Sequence, residues 1–472
     1  MNSTKVQQLP MWKKIIYAIG QFGWSLASFT VGNTLLYFYL PPVNQNTGKT
    51  IFPIFIGIPL IISSVGFVSR LFDAITDPLI ASLSDRTKHK LGRRRLFLLI
   101  GGLPFAILSF LVFFPPVNAV HVFNIIWLYI TILLFYLFMT IYVTPFFALM
   151  SELGHSSSER LQLSTMISIT WAIGYMVGNQ IYLFSGIFEK MGFSPVRAFQ
   201  IVNGIFAIVG AIAMYLPVIF IDENKYVEEH VSQEGTLEAL SSAFKNKGFL
   251  YFTLSDLTYW LSLTFISAGF SYYIVVLLNL PKEMTTTFMT VMFLLSFIFY
   301  FFIPSIAHKI GKKKLLIVGF CIFGFVFLIT IGLGKYPIPN VIQGWIIMFL
   351  ASLPLAIFGI IPNSVIADIA EADGYEKGNF KAAIFFGART FMSKLGQSIT
   401  LLLFPLLATL SIGEAKHFDV ESKAKLVTIG GVRLTAVFAV IFCIVGLLLL
   451  LKYDEKRVNE ILKSHGEKEN NG

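Results

Sequence analysis

The chain has 472 residues, of which 56% are hydrophobic and only 13% are charged. A soluble fold needs more polar surface than this, and a disordered chain needs low hydrophobicity, so both classes are excluded. The net charge of +10 would suit nucleic-acid binding in a soluble protein. Here the basic residues lie in short loops between apolar segments, where they indicate membrane topology and give no sign of a nucleic-acid partner.

Apolar segments of roughly 20 residues or more, the length that spans a bilayer, recur along the chain. The first is too long for a cleaved signal peptide, so we expect it to be a retained helix. The twelve predicted spans are 15–40, 54–81, 95–114, 122–150, 161–187, 198–221, 249–279, 285–308, 314–334, 342–367, 381–410 and 428–452.

Lysine and arginine are distributed unequally between the two sides of these spans. Loops on the side of the two termini contain 24 of the 36 basic residues, and the opposite loops contain nine. Because basic loops stay in the cytoplasm, this excess predicts that both termini are cytoplasmic, in a plasma or inner membrane.

A polar loop divides the predicted spans into six and six. We expect an N-terminal six-helix bundle at 1–221, a cytoplasmic linker at 222–248, a C-terminal six-helix bundle at 249–452 and a cytoplasmic tail at 453–472. Neither the linker nor the tail is long enough to form a separate soluble domain.

A basic turn follows the second span of each half. Gly92 precedes three arginines and Gly311 precedes three lysines, and the two glycines are 219 residues apart. Such a repeat of parallel six-helix halves resembles the major facilitator superfamily. The fold class predicted is therefore an all-α membrane protein of that superfamily, with twelve transmembrane helices in two pseudo-symmetric halves. This architecture implies alternating access, with the basic turns at a cytoplasmic hinge.

The second span contains three ionisable residues on one helical face, Arg70, Asp73 and Asp77. Ionisable groups are costly in hydrocarbon and therefore indicate function. Two carboxylates one helical turn apart repel each other unless a cation or a proton lies between them. Thr76 adds a hydroxyl, so we expect a site for sodium or a proton. The alternative is a structural ion cluster.

Span eleven contains Arg389 and Lys394, and span seven contains Asp256. Either cation could complement the aspartates of the first half, or its side chain could extend to the membrane interface. Asp256 either lines the pathway or bonds to a neighbouring helix. None of the seven histidines lies in the middle of a span, which argues against a transition-metal site.

Aromatic and polar side chains also occur within the spans. They suit a sugar or an amphiphile, although most such residues pack helices together. The candidates for substrate binding or coupling are Lys394, Arg389, Asp256, Trp24, Ser25, Thr144, Phe147, Trp171 and Thr390. The candidates for gating contacts are Arg70, Asp85, Gly92, Arg93, Arg94, Glu152, Arg160, Asp368, Glu371, Gly311 and Lys312.

Residues 70–78, with the sequence RLFDAITDP, resemble the cation motif of the glycoside–pentoside–hexuronide:cation symporter (melibiose permease-like) family. Segments 145–149, 366–368 and 394–396 resemble the same family in the same order. The resemblance implies that Asp73, Asp77, Thr76 and Thr140 bind the cation, and that Lys394 links the cation and sugar sites. No cofactor besides sodium or a proton is implied.

The sugar-binding positions depart from that family. Its two sugar-binding aspartates correspond to Ser25 and Val143 here, and its helix-five arginine to Ser168. We therefore expect a cation-coupled symporter of a sugar or glycoside that does not bind galactosides in the family's way. Similarity to sodium-dependent lysolipid symporters keeps an amphiphile as the alternative substrate. A membrane-embedded enzyme is disfavoured, because no catalytic set is evident.

Overall fold

The computed structural model describes residues 8–42, 52–154, 157–227, 243–377, 382–410, 418–419, 424–425 and 427–469. These residues are almost entirely helical, apart from the antiparallel pair β1 (Phe418–Asp419) and β2 (Ala424–Lys425). Ten of the described helices are long and apolar enough to cross a membrane. Helices 11–39 and 157–179 fall outside that set, so twelve spans remain a prediction.

The chain forms two compact units. Within the first, α1 packs against α5 and α7, α3 packs against α4 and α7, and α2 packs against α4. The helices of this unit are α1 (Met11–Tyr39), α2 (Pro59–Arg86), α3 (Arg93–Leu111), α4 (Val122–Leu153), α5 (Ser157–Asn179), α6 (Ile181–Lys190), α7 (Pro195–Phe220) and α8 (Glu223–Tyr226).

The second unit repeats this arrangement: α9 packs against α14 and α15, α12 against α13 and α15, and α10 against α13. The first helix of the unit continues as a π-helical turn at Tyr273–Leu277. The helices are α9 (Lys247–Tyr272), α10 (Glu283–Tyr300), α11 (Ile303–Ile310), α12 (Lys312–Ile331), α13 (Asn340–Lys377), α14 (Ala382–Ala408), α15 (Ile429–Leu451) and α16 (Glu455–Glu469).

The glycines of the two basic turns have the same backbone conformation. Gly92 has φ 98° and ψ 150°, and Gly311 has φ 92° and ψ 149°. Residues with a Cβ rarely adopt such positive φ values, which explains why glycine stands directly before the basic residues in both turns. The repeat therefore extends from the sequence to the local backbone.

Two predicted spans are interrupted in the structure. The span 161–187 breaks at Gln180, between α5 and α6, and the span 285–308 breaks after Tyr300. Pro304 lies in the first turn of α11, where its missing N–H costs no helical hydrogen bond. The span 342–367 instead belongs to a longer helix, α13, which passes through Pro354 and Pro362.

Helix α1 approaches its neighbours closely at small residues. A Cβ on Gly23 would lie 2.6 Å from the carbonyl oxygen of Gly210 and 2.9 Å from Ala213 Cβ, both on α7. The Thr30 and Thr34 hydroxyls donate to carbonyls one turn earlier in α1, which satisfies these polar groups inside the helix. Small and hydroxyl residues thus bring helices together where hydrocarbon provides no hydrophobic driving force.

We predict that Gly23→Ala lowers the thermal stability of the detergent-solubilised protein, by about 1–3 kcal/mol, because the methyl group would overlap the α7 backbone. Gly324→Ala in α12 is the matched control. Its Cβ would meet only Cys443 Cβ, at 3.6 Å, and alanine favours a helix over glycine. Equal melting temperatures for the two variants would contradict this account of α1 packing.

Candidate functional site

The two aspartates of α2 face two threonines of α4. The Thr140 hydroxyl lies 3.0 Å from Asp73 Oδ1 and 3.3 Å from Asp77 Oδ1. The Thr144 hydroxyl lies 3.4 Å from the same Asp77 oxygen. Thr76 donates to the Asp73 carbonyl and lies 3.5 Å from the Thr140 hydroxyl. The structure thus brings all four predicted cation-binding residues together and adds Thr144.

The hydrogen-bonding capacity of this cluster is limited. Thr140 has one hydroxyl proton and can donate it to Asp73 or to Asp77, but not to both at once. Asp73 is completely buried, and Arg70 Nη1 lies 3.8 Å from its Oδ2. Two carboxylates and one guanidinium sum to a charge of −1, which a monovalent cation or one proton would neutralise. This arrangement of oxygen atoms fits a hard cation.

Arg70 is held beside the aspartates by an aromatic ring. Its guanidinium lies 4.9 Å from the ring centroid of Tyr136 on α4, within the range of a cation–π interaction.

Within the described ranges there is no group of three or more histidine, cysteine or acidic residues that could hold a metal ion. The site is therefore built from two carboxylates and several hydroxyls.

Thr144 could have been placed here from the sequence. Asp73 and Asp77 are four residues apart on α2, and Thr140 and Thr144 are four residues apart on α4. When two adjacent helices each repeat a polar residue at this spacing, the polar groups meet in two successive layers. We predicted Thr144 to contact substrate, whereas its observed partner is Asp77.

Several aromatic candidates for substrate binding lie on α4 and on its unit's helices α1 and α5. The rings of Trp24 on α1 and Phe147 on α4 are 6.1 Å apart in an edge-to-face arrangement. Trp171 on α5 meets Phe29 at 5.2 Å. Ser25 is fully buried, donates to the Phe22 carbonyl, and occupies the space that a side chain at position 174 would need. Its role in substrate binding remains a prediction.

A second buried charge cluster lies in the other unit. Arg389 on α14 donates from Nε to Asp256 Oδ2 at 2.8 Å, and from Nη2 to Asp256 Oδ1 at 3.1 Å. Its Nη1 donates to Asn363 on α13. Asp256 thus bonds to a neighbouring helix, which was one of its two predicted roles; whether it also lines the pathway stays a prediction. The Arg389 side chain pairs within its own unit.

The remaining candidates on α14 have separate surroundings. The Lys394 carbonyl accepts a hydrogen bond from Ser398, and the Thr390 hydroxyl donates to the Phe386 carbonyl on an exposed face. Their predicted roles in coupling and binding remain predictions.

The basic turns pair with acids on α4 in the first unit and on α13 in the second. In the first unit, Glu152 Oε1 accepts from Arg93 at 2.8 Å and from Arg94 at 3.1 Å. In the second unit, Lys312 lies 2.5 Å from Asp368. Five of the predicted gating residues therefore form ion pairs, on corresponding elements of the repeat.

Other predicted gating residues stand apart from these pairs. Glu371 accepts a hydrogen bond from Tyr375 on its own helix at 3.4 Å, rather than from a basic turn. The side chains of Asp85 and Arg160 lie outside the part of the chain that the structure describes.

Sequence reasoning missed a glutamate that caps the helix after each glycine turn. Glu223 accepts from the backbone N–H groups of Arg94 and Arg95 at 2.9 and 2.8 Å. Glu455 accepts from the Lys313 N–H at 3.0 Å. Both carboxylates lie at a helix N-terminus, where the helix dipole favours negative charge. The signal was an Asp-Glu pair, at 222–223 and 454–455, that follows the sixth span of each half.

The chain matches the family model described as "MFS/sugar transport protein" over residues 16–456, and it therefore belongs to this family of the major facilitator superfamily. It is 26% identical over 404 residues to the "Uncharacterized symporter YjmB" of Bacillus subtilis (strain 168), which covers 84% of this chain and 82% of that protein. It is 21% identical to the "Isoprimeverose transporter" of Lactiplantibacillus pentosus, over 83% of this chain and 78% of that protein.

The fold is also similar to a solved structure of the nucleoside transporter NupG. The two align with a TM-score of 0.62 at 14% identity, over 94% of this chain and 99% of that one. The predicted superfamily fold and the predicted family are thereby confirmed. The protein is a multi-pass membrane transporter rather than an enzyme, and it moves a small molecule.

Burial raises the pKa of the Glu223 carboxyl above its ordinary value, and the negative charge of Glu152 raises it further, whereas the bonds from the Arg95 and Arg94 amides lower it. The folded state therefore holds this proton more tightly than the unfolded chain does. Glu223 stabilises the fold most at low pH, and this contribution is lost as the pH rises from the ordinary carboxyl pKa through the raised one.

We predict that Glu223→Ala lowers stability by about 1–2 kcal/mol, because two buried amides lose their acceptor. Glu223→Gln keeps an acceptor oxygen and removes a buried charge, so its melting temperature at neutral pH should equal or exceed that of the unmodified protein. Thermal unfolding at mildly acidic and neutral pH measures both effects. Glu376→Gln, on an exposed surface, is the control. Equal losses in the Ala and Gln variants of Glu223 would show that the cap does not act through its acceptor oxygen.

Proposed function

We propose that the protein is a cation-coupled symporter that moves a sugar or glycoside by alternating access, with sodium or a proton as the coupling ion. The observation that carries this proposal is the cluster of Asp73 and Asp77 with Thr140 and Thr144, in which carboxylate and hydroxyl oxygens lie within hydrogen-bond distance of one another. The family match and the similarity to the isoprimeverose transporter support a sugar as cargo.

Cation binding would change the hydrogen bonds of α4. Without a bound cation, Thr140 would donate its single hydroxyl proton alternately to Asp73 and Asp77, whose carboxylates repel each other. A bound cation would satisfy both carboxylates and release the hydroxyl, so that its oxygen could serve as a ligand. The position of α4 relative to α2 would then depend on whether the site is occupied.

The same helix connects this cluster to the aromatic side chains. Phe147 follows Thr144 by three residues, less than one helical turn, and its ring contacts Trp24 on α1. A shift of α4 on cation binding would therefore move one side of the aromatic pair. Flat aromatic faces suit the apolar face of a pyranose ring, and we propose that this contact couples sugar affinity to cation occupancy.

We also propose that the termini and the basic turns lie in the cytoplasm, in accordance with the distribution of lysine and arginine. The ion pairs of Arg93 and Arg94 with Glu152, and of Lys312 with Asp368, would then stabilise one state of the transport cycle. They would separate in the other state, when the helix ends move apart.

Uptake into proteoliposomes under imposed gradients tests this proposal. A sodium gradient at constant pH and a pH gradient without sodium separate the two coupling ions, for a panel of monosaccharides and glycosides. We expect one gradient to drive accumulation of at least one sugar. Accumulation of lysolipid in place of every sugar would contradict the proposed cargo.

Asp77→Asn should reduce gradient-driven uptake by at least about tenfold, because a charge-assisted interaction with the cation contributes about 1.5–3 kcal/mol. Asp222→Asn is the matched control, since that carboxylate lies outside the spans and pairs with Lys225 and Arg95. Uptake by Asp77→Asn that still follows the gradient at the full rate would show that the cation binds elsewhere.

A further inference from the structure

Helix α11 buries very little of its own surface. Of its eight residues, Ile303–Ile310, only Ile303 and Ala307 are buried, and the other six are exposed. The helix packs against α12 and α13. It therefore contacts the rest of its unit along one narrow line and presents most of its circumference to the surroundings.

The position of α11 along the chain puts it near a membrane surface. The preceding helix α10 is a candidate span of 18 residues, or about 27 Å, which is close to the thickness of the hydrocarbon core. The next candidate span, α12, begins at Lys312, directly after Gly311. Because α10 already has nearly the length of the apolar layer, α11 and the glycine turn lie near the level of the lipid headgroups.

Exposed apolar and basic side chains adjoin on α11. Phe302, Ile306 and Ile310 are large, exposed and four residues apart, so they form one line along the helix, which we call the apolar stripe. Lys309 follows Ile306 by three residues and therefore lies beside the stripe. Lys314, in the first turn of α12, is exposed as well. Neither lysine makes a hydrogen bond or an ion pair within the described part of the chain.

The first unit uses the base that corresponds to Lys314 internally. Counted from the two turn glycines, this base is Arg95, whose Nη1 lies 3.7 Å from Asp222 Oδ1. Asp454 is the acid that corresponds to Asp222, but its Oδ1 accepts from the Arg457 N–H at the start of α16. Among the described residues, the third base of the second turn therefore has no acid partner.

The line that corresponds to the apolar stripe is interrupted in the first unit. Ile306 corresponds to Thr87, whose hydroxyl donates to the Leu83 carbonyl at 2.7 Å. The glycine turn of the first unit thus forms without a continuous apolar stripe and without an unpaired third base. Neither feature of the second unit is needed to build the turn.

Two ammonium groups beside an apolar stripe, at the level of the headgroups, fit an anionic phospholipid. The phosphate accepts hydrogen bonds from the ammonium groups, and each basic side chain near an anionic membrane surface adds to the attraction. The acyl chains would lie against Phe302 and Ile306. A soluble anion would make no use of the stripe, and a zwitterionic lipid would bring its own positive charge to the lysines.

We propose that the turn between α11 and α12 is a binding site for an anionic phospholipid, with Lys309 and Lys314 at the phosphate and the apolar stripe against the acyl chains. The site shares no residue with the aspartate cluster or with the buried ion pair of Arg389 and Asp256. It therefore does not depend on which cargo or which coupling ion the protein transports.

The test compares ligands that share either the headgroup or the acyl chains. Purified, delipidated protein in a neutral detergent is titrated with phosphatidylglycerol, with phosphatidylcholine of the same chains, and with glycerol phosphate. Thermal stabilisation gives the apparent affinity, and native mass spectrometry counts the bound lipids. We expect phosphatidylglycerol to bind about tenfold or more tightly than phosphatidylcholine at low salt, and this ratio to fall as the salt concentration rises.

Two results of this titration would overturn the proposal. Equal affinity for the two lipids would show that the lysines do not select a charge. Glycerol phosphate that binds as tightly as phosphatidylglycerol would show a site for a soluble phosphate, in which the apolar stripe has no part.

Neutral variants of the lysines identify the residues responsible. Lys309→Gln and Lys314→Gln should each lower the affinity for phosphatidylglycerol about fivefold and leave that for phosphatidylcholine unchanged. The matched control combines Lys88→Gln and Lys90→Gln, which removes two exposed charges from the turn of the first unit. An equal loss in this control and in the double variant of Lys309 and Lys314 would indicate unspecific attraction to negative charge, contrary to the proposal.

Ile306→Thr tests the apolar stripe, since it introduces the residue that the first unit has at the corresponding position. Ile306 is exposed, so the fold should be retained. The affinity for both lipids should fall about fourfold, with their ratio unchanged, because apolar contact is lost and the charges stay. Unchanged affinity for both lipids would overturn the proposal, and the loss of a dimer in gel filtration would then show that the stripe contacts a second copy of the chain.

Discussion

The structure depends above all on the cost of placing a carboxylate in apolar surroundings. Asp73 and Asp256 are both buried, and each is stabilised in a different way. Asp256 receives a bidentate bond from Arg389, so its charge is neutralised inside its own unit. Asp73 shares the Thr140 hydroxyl with Asp77, and Arg70 Nη1 lies 3.8 Å from its Oδ2. The guanidinium balances the charge of Asp256, whereas the two carboxylates of Asp73 and Asp77 bring together oxygen atoms of the kind that a hard cation prefers.

This difference distinguishes two units that are otherwise built alike. Their helices pack in the same pattern, and their glycine turns have nearly the same φ and ψ. The helix after each turn is capped by a glutamate, which follows α7 in the first unit and α15 in the second. Each turn also pairs with an acid, on α4 in the first unit and on α13 in the second. The shared features concern the ends of helices, where the dipole and the unpaired amides impose the same requirement twice. The differing features lie in the middle of the helices, where function is expected to specialise.

Helix α4 carries residues of three features: the aspartate cluster, the aromatic pair and an ion pair with a basic turn. Thr140 and Thr144 contact the aspartates, Phe147 contacts Trp24, and Glu152 pairs with the basic turn. The proposed ion site, the proposed aromatic surface for cargo and an ion pair near the helix end are therefore joined by a single helix. Pro145 lies between Thr144 and Phe147 and has no N–H to bond to the carbonyl one turn earlier, so α4 has a point at which it can bend between the aspartate contacts and the aromatic pair.

The sequence by itself determined the class of protein, the two glycine turns and the pair Asp73 and Asp77, and it predicted a six-plus-six division of the apolar segments. These features are local: composition, the length of apolar runs, and a spacing of four residues that puts two side chains on one helical face. Thr76 is adjacent to Asp77 in the sequence, whereas Thr140 came from resemblance to a known family. The helix breaks at Gln180 and after Tyr300 were absent from the predicted spans, since an apolar run does not mark where a helix stops.

Only the tertiary structure decided which charges meet. It joined Arg389 to Asp256 and Asn363 from three different helices, and it brought Glu223 and Glu455 to helix starts far away in the chain. The physical reason is that an ionised or polar side chain in an apolar interior is stable only with a specific partner. That partner is selected by helix packing, which sequence spacing along one helix does not encode.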